Sequence, residues 1–508
     1  MRRRRSASSA SSATPPLAQQ PFQPPQTPFA PLEPLSADQL ESVHHASLRL
    51  LSDFGIEVMS KKARQLFVEM GADVDEDKEL VRMDPDLVMG LIATAPAQFT
   101  LTPRDPAHSL TIGGNHLHFG MVSGAPNVHD EISGRRAGNL QDYTNFIKLG
   151  QSFNAIHFFG NQTLAPNDLP VNTRHLTTNL INLIYSSKVF LSMSIGAERV
   201  EDTAQMLAIA RDMPIEALAD SPSCMTNISV NSPRKLDQEM SDAAIKLAEL
   251  GQAVVVTPFT LMGAMTPVTL PAALAQQNAE ALLVIALLQH VRPGTPVVYG
   301  GFTSNVDMKT GAPAFGTPEN AVANMAGGQL ARFYNLPYRT SACSASNAVD
   351  AQAVWETQMA LWGAVTGHGH LIYHAAGWGE GGLVASYEKL VVDCEMLQSM
   401  AALLQPLQFT DDDFGFDAHA ETPPGGHFFG AEHTLARYRD AFYQPFLSDW
   451  QNNESWVQAG SLTATQRATS IWQQMLADYE APPLSADRKE ALEAYVARRM
   501  EEIGQKEI

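Results

Sequence analysis

Apolar residues recur along this chain in two alternating rhythms. Short runs dense in β-branched and aromatic residues read as strands: HLHFGMV from 116, AIHFFGN from 155, VFLSMSI from 189, CMTNISV from 224, AVVVTPF from 253, PVVYGGF from 296, PYRTSAC from 337 and HLIYHAA from 370. Between them, apolar positions three or four apart read as helices. These include LQDYTNFIKLGQ, ERVEDTAQMLAIARD, SDAAIKLAELG, AALAQQNAEALLVIALLQHV, PENAVANMAGGQLARFYN and DAQAVWETQMALWGAVTG. Eight consecutive βα units demand parallel pairing with right-handed crossovers. They close into a (β/α)8 barrel over residues 116–405, near the ~250 residues usual for that fold. Periodicity alone leaves an open doubly wound sheet as the alternative.

The flanks follow other patterns. Residues 1–36 are rich in Arg, Ser, Ala, Pro and Gln and read as a disordered tail. The four leading arginines are followed by no apolar run long enough for an export signal. SADQLESVHHASLRLLSDFGIEV, KKARQLFVEMGADVD and DPDLVMGLIATAP are three helices with caps and Gly stops, and FTLTPRDPAHSLTIGGNHLHFG alternates like a β-ribbon. Together they form an N-terminal cap over residues 37–115. Residues 406–508 begin with acidic TDDDFGFD and aromatic-rich GGHFFGAEHTLARYRDAFYQPFLSDW, then turn helical, predicting a flap followed by helices.

Composition narrows the partners. The chain has 508 residues, with 34 basic against 54 acidic side chains, and its net charge of −20 argues against nucleic acid and anionic membranes. Apolar runs such as AEALLVIALLQ are too short to span a bilayer. The three cysteines, Cys224, Cys343 and Cys394, show no metal or disulfide spacing, which fits a reducing cytoplasm. Cys343 reads either as a nucleophile or as a buried thiol.

In a barrel of this kind the chemistry lies where strands end. Those ends offer Asn161, Gln162, Ser194, Asn227, Ser229, Thr257, Thr260, Tyr299, Phe302, Thr303, Ser304, Ser341, Ser344, Ser346, His374, Trp378 and Glu380. Hydroxyls, amides and rings dominate, and acids and bases are few. The set suits binding and orienting a substrate better than moving protons. GWGEGG at 377–382 matches a dinucleotide fingerprint formally, but no second strand ending in Asp or Glu follows; a phosphate cradle is the other reading of this loop. His368, His370 and His374 share a spacing that a metal could use, yet no carboxylate or thiol joins them locally, so no metal is expected. Trp378, Tyr299, Phe302 and Tyr387 suggest either an aromatic box for a quaternary ammonium or plain core packing.

Four long motifs, RPGTPVVYGGFTSNVDMKTGAPAFGTPE, QLARFYNLPYRTSACSASNAVDAQAVWE, YHAAGWGEGGLVASYEKLVVDCEML and GGHFFGAEHTLARYRDAFYQPFLSDW, closely resemble the trimethylamine methyltransferase superfamily. They are most similar to its members without pyrrolysine, which include glycine betaine:corrinoid methyltransferases. The resemblance covers roughly residues 40–475 and implies a (β/α)8 barrel. It implies methyl transfer from an amine nitrogen to Co(I) of a cobalamin held by a separate corrinoid protein. A quaternary ammonium needs no proton to release its amine, which matches the scarcity of acids and bases. On this resemblance Tyr299, Phe302 and Trp378 would line the cationic head, with Glu380 as a charge partner. His374, Ser344 and Ser346 would hold a carboxylate, Arg339 would be a further anchor, and His427 would close the site from the flap. Catalytic residues stay unassigned, and the exposed-looking aromatics near the C-terminus suggest a homo-oligomer. The alternatives are a trimethylamine-type enzyme, a quaternary-amine-binding barrel without turnover, and a barrel acting on a phosphorylated molecule.

Overall fold

Phe158, Val189, Leu191, Met225, Ala253, Val255, Val298, Leu371 and Tyr373 pack together in one interior layer. Their chain neighbours Phe159, Phe190, Val254, Val256, Val297, Tyr299 and Ile372 belong to a second layer beneath the surrounding helices. Alternation with both faces buried is what a barrel strand requires. The computed structural model describes residues 17–160 and 162–506; Asn161, among the candidate residues, lies outside them.

The eight strands are β1 His118–Met121, β2 Phe158–Phe159, β3 Val189–Phe190, β4 Met225–Ile228, β5 Ala253–Val256, β6 Val297–Gly300, β7 Tyr338–Ser341 and β8 Leu371–Ala376. All pair in parallel, in the spatial order β3-β2-β1-β8-β7-β6-β5-β4. A parallel bridge between Leu191 and Met225 joins the two ends. The open-sheet alternative is thereby set aside. The helices after each strand are α1 Leu140–Ser152, α2 Arg174–Tyr185, α3 Ala197–Arg211, α4 Gln238–Glu249, α5 Leu270–Val291, α6 Pro318–Phe333, α7 Ala351–Thr366 and α8 Tyr387–Leu403. Most begin on a side-chain cap, such as Asn139 for α1, Asp237 for α4, Thr317 for α6 and Asp350 for α7.

α5 is 22 residues long and apolar enough to cross a membrane by length and composition. That overturns the expectation that no apolar run reaches that length. In this fold 83% of its most apolar window is buried. Its helical neighbours are α4, α6 and the N-terminal helices Ala37–Arg49, Lys61–Met70 and Pro85–Ile92. The pair Phe99–Leu101 and Leu110–Ile112 contributes Leu101, Leu110 and Ile112 to the interior layer, closing the barrel near the start of β4, where the Thr102 amide donates to the Pro222 carbonyl at 2.8 Å.

Residues 17–35 depart from the expected disordered tail. They run extended along the barrel: Gln19 Nε2 donates to the Ser152 carbonyl, Asn154 Nδ2 donates to the Gln20 carbonyl, and Phe22 meets the edges of His108 and His157. Polar backbone in such a strap is satisfied by the barrel rather than by water. At the other end, helices Ala464–Ala477 and Ala486–Lys506 also pack on the barrel. Trp472 stacks on Tyr387 at 4.6 Å, and Tyr495 and Arg499 both donate to Asp202. Between α8 and these helices, Phe409, Phe416, Phe429 and Phe442 are each more than 70% exposed (75%, 72%, 81% and 77%).

Candidate functional site

A cavity of about 540 Å³ opens where the strands end. Its wall carries Arg339, Tyr373, His374, Trp378, Phe302 and Phe259, and its rim carries Ser123, Ser194, Asn227, Ser229, Asn231 and Ser232. Among the described residues no Asp or Glu lines it.

Arg339 stands on β7 with its side chain buried. The guanidinium lies 4.3 Å from the ring centre of Tyr373 and 5.0 Å from that of Phe302, so both rings meet its charge. Nη1 donates to the Gly301 carbonyl at 3.3 Å, while Nε has no partner among the described residues. Burial pushes the guanidinium down to about 10, still charged at neutral pH, and no carboxylate is among the groups that oppose this. A buried cation without an anion is costly in a folded chain, and here it faces a cavity.

His374 and Trp378 come from the end of β8, where the pairing register shifts between Ile372 and Ala376. His374 adopts φ 58°, a left-handed conformation unusual for a side-chain-bearing residue. This turn lays its ring on Trp378 with centroids 4.0 Å apart and brings Nδ1 within 3.3 Å of Ser341 Oγ. Burial, then the Arg339 charge, hold the imidazole well below its ordinary value, so it is neutral. Trp378 Nε1 is buried and lacks a partner among the described residues. Both unpartnered nitrogens, on Arg339 and Trp378, are donors, a pair suited to an anionic oxygen.

Two devices hold this loop. Asp393 Oδ2 accepts the Gly377 amide at 2.9 Å, and Lys389 Nζ binds both Asp393 oxygens at 2.8 Å and Thr357 Oγ1 at 2.8 Å. Gly382, at φ +107°, lies so close under the indole that an added Cβ would stand 2.5 Å from Trp378 Cζ2.

The structure separates the expected site residues into two groups. Phe302, His374 and Trp378 line the cavity. Tyr299 does not. It is on the outward face of β6, accepting from Gln277 at 3.4 Å and lying beside Tyr334 and Tyr338, because inward-facing Val298 precedes it. Tyr387 likewise packs outside the barrel, its hydroxyl bonded to Asp142. Ser344 donates to Glu356 at 2.8 Å, and Ser346 takes the same carboxylate through its amide and gives its hydroxyl to the Ala348 carbonyl. Both serines are occupied in the β7–α7 turn. Glu380 pairs with Arg135 at 2.9 Å, outside the cavity wall. His427 sits on exposed chain, its ring beside Phe429 at 5.6 Å. Cys343 is buried, and burial pushes its thiol up, away from nucleophilic use. His368 and His370 are spent on the Phe29 and Gly114 carbonyls and the Tyr338 amide.

Phe259 and Tyr373 were not among the sequence candidates. Each lies in an apolar strand run, AVVVTPF or HLIYHAA, in which every residue looks equally buried. Arg339 carried a signal, a lone charge inside the strand PYRTSAC.

The trimethylamine methyltransferase (MTTB) family model matches residues 1–504 of this sequence. The chain belongs to this family. MTTB-family relatives include the glycine betaine methyltransferase of Desulfitobacterium hafniense, 34% identical over 472 residues, covering 93% of this chain and 98% of that one. The proline betaine:corrinoid methyltransferase of Eubacterium limosum is 28% identical over 91% of this chain and 96% of its own. The trimethylamine methyltransferase MttB of Methanosarcina barkeri is 27% identical over 91% and 94%. Among solved structures, the monomethylamine methyltransferase MtmB of Methanosarcina barkeri aligns over 89% of this chain and 92% of its own, at 9% identity and a TM-score of 0.47. For this MTTB-family methyltransferase, the barrel mouth just described is the candidate active site.

Proposed function

We propose that this protein takes one methyl group from a betaine, a quaternary ammonium that carries its own carboxylate, and delivers it to a corrinoid held by a separate protein. The observation that carries this reading is Arg339, buried at the cavity with no carboxylate among the described residues to neutralise it. A betaine brings the missing anion. Choline or protonated trimethylamine would bring a second positive charge beside the first.

The rim of the cavity fits the other reactant. Ser194, Asn227, Ser229, Asn231 and Ser232 present neutral hydroxyls and amides, matching the amide-bearing edge of a corrin ring. When bound, the corrinoid supplies a nucleophilic Co(I) that accepts the methyl group. The protein's own work is positional. Arg339 and the Trp378 indole N–H hold the carboxylate, and the faces of Trp378 and Phe259 shield the ammonium from water. The electron pair of the breaking N–CH3 bond stays on nitrogen, so the departing tertiary amine is neutral and needs no acid. Neutral His374 supports Trp378 without adding positive charge beside the ammonium. The three buried free cysteines suit a reducing cytoplasm as the place of action.

The test is methyl transfer in the presence of a corrinoid protein reduced to Co(I), followed by methylcobalamin absorbance. Glycine betaine or another carboxylate-bearing quaternary amine is expected to turn over. Turnover of trimethylamine or choline with none from any betaine would overturn the reading.

A further inference from the structure

Glu280 lies in the middle of α5 and is completely buried. Its carboxylate accepts three hydrogen bonds: from Ser232 Oγ at 2.5 Å, the Arg234 amide at 2.8 Å and Gln276 Nε2 at 2.9 Å. Among the described residues it makes no ion pair. The nearby Arg234 side chain turns instead to the Gly55 carbonyl at 3.3 Å and the ring of Phe54 at 5.6 Å. Burial pushes its carboxyl above the ordinary range, and the three donors, with the nearby Arg234 charge, oppose that push.

The Glu280 carboxyl group is one hydrogen bond behind the cavity wall. Ser232 lines the cavity, and so does Met265, whose carbonyl accepts from the same Gln276 that serves Glu280. Ser232 follows β4 and Arg339 stands on β7, three strands around an eight-stranded barrel, so the two groups act from separate walls. The cavity therefore lies between a buried guanidinium and a buried carboxyl group.

We propose that Glu280 is the counter-charge for the ammonium end of the substrate. It acts through Ser232 as a positioning and specificity residue and never touches the substrate. The proposal rests on the betaine reading above and adds the other pole. A quaternary ammonium has no N–H to offer a carboxylate, so a direct hydrogen-bonded ion pair is impossible. Ser232 solves this: its proton goes to Glu280, leaving the Oγ lone pairs, enriched by that bond, free for the positively charged methyl shell. The field between Glu280 and Arg339 matches the dipole of a zwitterion.

Binding to the full-length chain would be measured by calorimetry with two ligands, glycine betaine and 3,3-dimethylbutanoate. The second has the same shape and carboxylate, with carbon in place of the charged nitrogen. Glu280→Gln is expected to lower betaine affinity about tenfold while leaving 3,3-dimethylbutanoate nearly unchanged. Ser232→Ala should move the ratio of the two affinities in the same direction, and it decides the matter if Glu280→Gln does not fold. An unchanged ratio in both variants, or equal weakening of both ligands, overturns the role of Glu280 while leaving the betaine reading intact. Failure of the unmodified chain to bind either ligand sinks the betaine reading and this one with it.

Discussion

His374 and Trp378 are four residues apart in sequence, yet their rings stack at 4.0 Å because the chain between them turns sharply. The turn includes Gly377 at φ 84° and is closed from below by Gly382. The indole is thus pressed between an imidazole and a bare backbone, which fixes its ring at the cavity wall.

Gly382→Ala tests that support. The new methyl would collide with Trp378 Cζ2, and φ +107° suits no L side chain. Betaine affinity should fall about tenfold, with a destabilisation of ~1–3 kcal/mol. Calorimetry and thermal melting check the two effects, and an unshifted affinity would show that the indole position does not matter.

Arg339→Met separates binding from stability. Removing the only charge that the described residues place on the cavity wall should weaken betaine by ~30-fold or more, the range for losing one partner of a buried charge pair. The ligand-free chain should melt at the same or a higher temperature, because an unneutralised buried cation is removed. A lower melting temperature with intact binding would place Arg339 in the structural framework.

Lys389→Met breaks the buried pair that holds Gly377. It leaves Asp393 without its cation, and about 3–5 kcal/mol of stability should be lost in denaturant melts. Adding Asp393→Asn should restore part of that loss, since the uncompensated charge is then gone. No recovery in the double variant would point to packing alone.

Acid should weaken the fold in a defined window. Burial depresses His118 to about 3 and His370 to about 4, and holds His157 and His374 well below their ordinary value. The unfolded chain therefore binds more protons than the folded one between these values and the ordinary ~6.5. Stability is fully present above that upper limit and is lost as pH falls toward 4. The slope is roughly 1 kcal/mol per pH unit for each histidine involved. Asp202, lowered to about 2 by hydrogen bonds from His175, Arg499 and Tyr495 that outweigh its burial, adds a further loss below ~4. Urea melts from pH 7.5 to 4 check this, and a flat profile would contradict it.

The barrel was legible because eight short apolar runs alternate with eight helical ones, a pattern with few topological solutions. Which side chain faces inward was not. Strands of a parallel barrel are apolar on both faces, so VVYG offers no clue that Val298 points in and Tyr299 out. Ser344, Ser346 and Glu380 lie within a few residues of the cavity in sequence, but turns at the strand ends send them to Glu356, the Ala348 carbonyl and Arg135. Arg339 was visible as a strand-borne charge. Only its neighbours in space reveal that no carboxylate among the described residues neutralises it.

The bridge between Leu191 and Met225 gives the barrel a seam. Strands β4, β5, β6, β7, β8 and β1 are joined by runs of paired residues, whereas β1 and β2 meet at one pair, Gly120 with Phe158, and β3 and β4 meet at one pair reinforced by the Ser192 amide on the Met225 carbonyl and Thr226 Oγ1 on the Ser192 carbonyl. Leu191 lines the cavity beside this seam, and Ser194, Asn227 and Ser229 stand just beyond it on the rim. Opening the circumference costs less here than along β5 to β8, so amides here are expected to exchange with deuterium ahead of those on these strands.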